Sequence, residues 1–221
     1  MGFLTPSAGS VTLGGEEIDR IPKRQLAHRI AYIPQRHTPV FTYTVREVVT
    51  MGRASHFGAF SSPRGVDHAE VECALARLGL SESADRMFAQ LSGGQQQLAL
   101  IARAIVQQAG LLLMDEPTAS LDYHNAMQVL ELVGELAQDG YGVLLSTHSP
   151  EHPFAYADRV LLMKQGRVLG FDTPEQTLTS ENLLSAYGVD MDIVTMRDRH
   201  GAQRRICLPV RRAPAGEGEV W

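Results

Sequence analysis

Cysteine is scarce in this chain of 221 residues: Cys73 and Cys207 stand far apart and no Cys-x-x-Cys occurs. That excludes a disulfide framework and a cysteine-based zinc finger, and it suits a reducing compartment. Long apolar runs are missing too. No stretch approaches the ~18 residues needed to cross a bilayer, and the first residues carry no signal-peptide pattern. An excess of positive charge is also absent. The formal net charge of −5 gives no global attraction to nucleic acid or to anionic lipid. Nor is there any Gly-x-x-x-x-Gly-Lys-[Ser/Thr], the loop whose backbone cradles nucleotide phosphates.

What is present is ordinary globular material, 44% hydrophobic and 20% charged, enough for one substantial core. Late arginines (Arg197, Arg199, Arg204, Arg205, Arg211, Arg212) alternate with acids and turn residues and read as a solvated surface. Val11–Ile18 holds Gly14-Gly15 between two extended pieces, a hairpin signal. Ile30–Pro34 reads as a strand closed by proline. From Thr44 to Gln90 the character is helical: Val71, Ala74, Leu75 and Leu78 keep the spacing of one buried face, and Gly79 stops that helix. Residues 56–63 form a loop. A helix opening at Ser92-Gly93-Gly94 turns Leu98, Ile101, Ala102 and Ile105 inward, and Leu111–Met114 is a short, wholly apolar strand. Val129, Leu132, Val133 and Leu136 mark another helix before strand 143–147. This alternation predicts an α/β fold with a parallel sheet. Beyond it come a hairpin around Gln165-Gly166, a helix over Glu181–Tyr187 ended by Gly188, and a last strand pair over 190–210, with a frayed tail from 213 to 221.

The candidate chemistry sits at strand ends. Strand 111–114 delivers Asp115 and Glu116 at its carboxyl end, where α/β sheets place ligands. There Asp115 can hold Mg²⁺ and Glu116 can orient or deprotonate a water. An Asp-Glu pair at a strand end is common, but Pro117 and Ser120-Leu121-Asp122 behind it sharpen the reading. Ser92-Gly93-Gly94 opens a helix whose first N–H groups face outward with positive potential, suited to an anion; a bare Ser cap with a flexible turn is the plainer alternative. Gln35, after its strand, is an amide able to bridge a metal, a water and a moving lobe. His148 ends its strand within reach of a phosphate, although a lone histidine is more often structural. The spacing His148-x-x-x-His152 invites a metal guess, but Pro150 and Pro153 stand against the helix that would align the pair.

In this order, Gln35, Leu91-Ser92-Gly93-Gly94-Gln95, Asp115-Glu116, Ser120-Leu121-Asp122 and His148 resemble the Q-loop, signature motif, Walker B, D-loop and H-loop of an ABC transporter ATPase. Val48–Arg53 and Leu178–Leu183 further resemble the importers of ferric siderophores, haem, cobalamin and related chelates or molybdate. The resemblance implies a P-loop NTPase-like core with a helical subdomain over about 44–90, a single domain over 1–221, and a hairpin over about 190–210. It implies ATP and Mg²⁺ as cofactors. Glu116, His148 and Gln35 would be catalytic, Asp115 and Gln35 metal-facing, and Ser92, Gly93, Gly94, Gln95 and Asp122 nucleotide-facing. It implies a homodimer or a second ATPase subunit, a membrane permease with a periplasmic or lipid-anchored binding protein, and a place on the cytoplasmic face of the inner membrane. Ser149 departs from the Asp that many relatives carry after the histidine. The start departs more: Phe3–Ser10 resembles the stretch after the phosphate loop, so the expectation is of an N-terminally truncated or wrongly started chain. A non-catalytic partner donating only its signature motif, and a soluble ATPase of repair or translation, are the alternatives. Residues 36–60, with Val40, Phe41, Tyr43, Phe57 and Phe60, are expected to dock the permease.

Overall fold

A computed structural model describes residues 4–35, 42–57 and 63–210. Its chain contacts fall into two compact units, Met1–Thr147 and His148–Trp221.

The first unit is built on a three-stranded parallel sheet in the order β3 (Ile30–Ile33), β4 (Leu111–Met114), β5 (Gly142–Leu145). The register is in step: Ile33 faces Met114, which faces Leu145. All three strands therefore end on one line, and Gln35, Asp115 and Ser146 leave the sheet together. Alternation sends Ala31, Ile33, Leu112 and Met114 into the main core, all at most 2% exposed. Helices α4 (Gly93–Val106) and α5 (Tyr123–Gln138) pack on that face through Leu100, Ile101, Val129, Leu132 and Leu136. Ile30, Leu111 and Leu113 point to the opposite face, where Ile21 and, from α1 (Lys23–Arg29), Leu26 cover part of it. A two-residue hairpin, β1 (Thr12–Leu13) and β2 (Glu16–Glu17), turns at Gly14-Gly15, both with positive φ, as the glycine pair predicts.

The helical stretch contains α2 (Val45–Thr50), a 3-10 turn over Met51–Ser55 and α3 (Gly65–Arg77). Thr44 starts α2 with a capping box: its hydroxyl accepts from Glu47 N–H while Glu47 accepts from Thr44 N–H. Phe88 and Leu91 are buried in the same core cluster as residues of α2, α3 and α4. Arg53 is buried and spans the same layers, donating from Nε to Asp67 (2.9 Å) and from Nη1 to the Val106 carbonyl (2.9 Å). Gly52 must be glycine, because a Cβ there would lie 2.0 Å from the Arg103 carbonyl oxygen.

The second unit holds α6 (His152–Tyr156), the hairpin β6 (Val160–Lys164) and β7 (Arg167–Asp172), α7 (Pro174–Thr177), α8 (Ser180–Tyr187), and the hairpin β8 (Met191–Arg197) and β9 (Gln203–Pro209). Its buried centre is small: Leu162, Leu178, Leu183 and Met191. Gly188 ends α8 in the left-handed conformation. A short helix forms at His152–Tyr156, with Pro153 in its first turn, where the missing N–H costs nothing. His148 precedes that helix, so the two histidines are not aligned on it. Strand β5 also stops at Leu145 rather than 147, leaving Ser146 and Thr147 beyond the ladder.

Candidate functional site

The site is built from the three strand ends. Asp115 continues the ladder for one bond, its N–H donating to the Ile33 carbonyl (2.9 Å). The chain then turns sharply, and Glu116 adopts φ 45°, a left-handed conformation unusual for a side-chain-bearing residue. Ser146 holds that turn from the neighbouring strand. Its hydroxyl donates to Asp115 Oδ1 (2.8 Å) and accepts from Glu116 N–H (2.9 Å). From the other side, the Tyr32 hydroxyl donates to Asp115 Oδ2 at a long 3.4 Å. Partial burial, and then the Asp115 charge, push the Tyr32 phenol up from its ordinary pKa. Gln35 closes the cluster, donating from Nε2 to Glu116 Oε2 at 2.6 Å.

Gln35, Asp115 and Glu116 are thus brought together, with Gln35 and Asp115 exposed and Glu116 half-buried. Sequence reasoning missed Tyr32 and Ser146. A polar residue at the inner end of an otherwise apolar strand, as in Leu145-Ser146, was the available signal.

The signature segment lies at the start of α4. Ser92 accepts from Gln95 N–H (3.3 Å) and Gln95 Oε1 accepts from Ser92 N–H (3.2 Å), a reciprocal cap. The Gly93 and Gly94 N–H groups have no intrahelical acceptor, which makes them available to an anion. Asp122 caps α5, accepting from Asn125 N–H (2.9 Å) and Asn125 Nδ2 (2.7 Å). The backbone bond first, then the side-chain bond, hold the Asp122 carboxyl below the usual carboxylate range. Asn125 then reaches α4: a Cβ at Gly94 would lie 2.3 Å from Asn125 Oδ1. Ser92–Gln95 and Asp122 are joined through Asn125, a residue no motif had marked.

His148 opens the second unit and is exposed. In that unit, burial lowers His152 from its ordinary pKa and raises Tyr187 and Cys207. Of the expected docking residues, Val40, Phe41 and Phe60 lie outside the described set. Tyr43 is 37% exposed, and Phe57 lines an open apolar groove of about 430 Å³ with Thr50, Met51 and Ala54. No helix among the described residues is long and apolar enough to cross a membrane.

The family profile described as ABC transporter matches residues 1–119, more than half of the chain. The chain belongs to the ABC transporter ATPase family. The similarity extends past that match: the hemin import ATP-binding protein HmuV of Nocardia farcinica is 37% identical over 95% of this ATPase chain and 71% of its own length. The cobalamin import ATP-binding protein BtuD of Halobacterium salinarum is 35% identical over 99% of this chain, which spans only 54% of that protein. Among solved structures, a putative metal-chelate type ABC transporter in an inward-facing conformation superposes with a TM-score of 0.80 at 36% identity, over 83% of this chain and 73% of the other. The fold is therefore that of an ABC ATPase cassette, a P-loop NTPase fold with a parallel sheet.

Proposed function

We propose that this ABC ATPase is the ATP-binding subunit of an importer for a metal chelate: haem, cobalamin, a ferric siderophore or a close analogue. The hemin and cobalamin names of its relatives support the cargo class, and the strand-end cluster supports the chemistry. One observation carries the reading: Gln35 Nε2 lies 2.6 Å from Glu116 Oε2, beside an Asp115 already oriented by Ser146.

The donor set fits the chemistry of Mg²⁺ and ATP. Asp115 and Gln35 are hard oxygen ligands at an exposed strand end, and Asp115 keeps lone pairs beyond those taken by Ser146 and Tyr32. Mg²⁺, when bound, neutralises charge developing on the transferred phosphoryl group. Glu116 accepts a proton from the attacking water, and Gln35 holds that carboxylate until substrate replaces the contact. His148 is retained as a candidate catalytic residue by its match to the H-loop position. Ser92, Gly93, Gly94 and Gln95 offer the α4 amino terminus to the nucleotide of an opposing subunit, and Asp122 keeps the α5 end in register with it. No phosphate-cradling loop occurs among these 221 residues. The subunit works as a dimer with itself or a second ATPase, as one domain, against the cytoplasmic side of a permease that meets the groove at Met51, Ala54 and Phe57. A binding protein delivers the cargo to that permease. A second reading, a partner that donates only its signature segment, is favoured by an intact α4 start in a chain without the loop.

The chain as printed is expected to show no family-like ATP turnover, and the protein carrying a phosphate loop upstream to be active. In that protein Glu116→Gln is expected to retain ATP binding, accumulate the closed dimer and lose turnover by about 10²–10⁴-fold. Normal turnover by that variant overturns the assignment. Cysteines at Met51 and Ala54 cross-linking to the permease test the docking groove, and cross-links from 190–210 alone place the interface elsewhere.

A further inference from the structure

The hairpin β8–β9 carries apolar side chains on both of its faces. Directly opposed residues share a face, and the pair Ile193 and Cys207 packs with Met191 on the buried centre of the second unit. The next pair on that inner face, Thr195 and Arg205, is polar, and Arg205 reaches Glu175 of α7 at 4.0 Å. The outer face runs the other way. Its three rungs are Asp192 with Leu208, Val194 with Ile206, and Met196 with Arg204. An antiparallel ribbon with one face on a core ordinarily turns polar side chains outward. Here Val194 (38%), Met196 (47%) and Leu208 (46%) lie exposed, and they and Ile206 stand outside every core cluster of the described residues.

The charges on this outer face sit where a copy of the same face would use them. Asp192 stands at one end, on β8, and Arg204 at the other end, on β9. Asp192 is exposed and enters no ion pair among the described residues. Arg204 gives Nε to Asp198 (3.1 Å), which leaves its Nη donors. Four residues of strand rise, about 13 Å, separate Asp192 from the Arg204 rung, too far for the two to pair within one chain. A two-fold axis running across the strands, through the rung of Val194 and Ile206, lays one ribbon over another. Each Asp192 then meets the partner's Arg204, and the apolar side chains of both copies fill the space between. One acid and one base at opposite ends are enough for two ion pairs, because such packing makes every contact twice.

We infer that the outer face of β8–β9 is a seat for the same face of a second copy of this chain, closed without nucleotide. The inference does not rest on the ATPase reading. The face is made by β8 and β9 alone and holds none of Gln35, Ser92, Asp115, Glu116 or His148. Four apolar side chains per copy make an interface smaller than those of stable dimers, so the contact forms at high concentration or where two copies are already held together.

The test uses the full chain, without nucleotide, at about 1 mM, where a weak contact of this size is populated. Cys73→Ser removes the exposed native thiol. In that background Val194→Cys, beside the two-fold axis, is expected to join two copies through a short bis-maleimide, and Thr195→Cys, on the opposite face, to leave them separate. Sedimentation is expected to show a dimer whose dissociation constant rises about tenfold in Asp192→Arg and in Arg204→Asp, since each sets like charges end to end. Mixing these two variants is expected to restore association, because both ends match again, whereas a fault in folding is not repaired by mixing. Equal cross-linking from Thr195→Cys and Val194→Cys, association unchanged in both charge variants, or a mixture no better than its components each overturns the inference. So does cross-linking of Val194→Cys that appears only after residues 211–221 are removed, which assigns the face to the chain's own tail. A chain that stays monomeric while phosphatidylglycerol vesicles shield Val194→Cys from maleimide assigns it to lipid and overturns it as well. The Glu116 test of the ATPase reading is read separately, and neither result decides the other.

Discussion

The two units share a taste for apolar strands but differ in what they do with them. In the first, Leu112 and Met114 vanish between α4, α5 and their neighbouring strands. In the second, the hairpin β6–β7 buries Leu162 on one side while Leu161 (49% exposed) and Phe171 (60%), cross-strand partners, lie open on the other. The lesson is that an apolar residue contributes only where something covers it. A hairpin that is apolar on both faces, packed on a centre of four buried residues, has much less to lose than a sheet held between helices.

Cavity-forming substitutions probe this most strongly. Phe88→Ala, in the core cluster shared with α2, α3 and α4, is expected to cost about 3–5 kcal/mol. Leu183→Ala in the small centre of the second unit should cost about 2 kcal/mol, at the low end, because its thin surroundings can collapse. Chemical denaturation monitored by amide exchange in each unit measures both, and equal costs would erase the contrast.

A smaller effect separates packing from function inside the first unit. Gly94→Ala drives a methyl into Asn125 and should cost about 1–3 kcal/mol. The double variant with Asn125→Ala should recover most of that loss, because it removes the atoms 2.3–2.5 Å from the new methyl. If the double variant is as unstable as the single one, α4 and α5 are not gauged by this contact.

The smallest expected effect is electrostatic. The folded-state pKa of Asp122 is depressed, so its cap contributes stability that is fully present above the unfolded carboxylate value, near 4. That contribution is lost as pH falls through the lower folded value. Unfolding of wild type and Asp122→Asn across this acid window should converge at its bottom, and a constant gap would remove the role given to the carboxylate.

The sequence alone determined the order of elements and the chemistry at their ends. Periods of two and 3.6, glycine stops at Gly79 and Gly188, and the Ser92-Gly93-Gly94 start are local codes, written within a few residues of what they specify. Pro150 and Pro153 kept His148 and His152 off one helix, as the sequence predicted, although a short helix still starts at His152 with Pro153 in its first turn. The contacts that make the site depended on the tertiary structure. Ser146 meets Asp115 across 31 positions and Gln35 meets Glu116 across 81, because an in-step parallel register brings the ends of β3, β4 and β5 to one line. Asn125 reaches Gly94 only because α4 and α5 start side by side. The strand sequence Gly142–Leu145 reads as an interior strand by composition, and only the assembled sheet shows that among the described residues it pairs with β4 alone. Composition sets what a strand can bury, whereas burial itself is decided by what the rest of the chain brings to its edge.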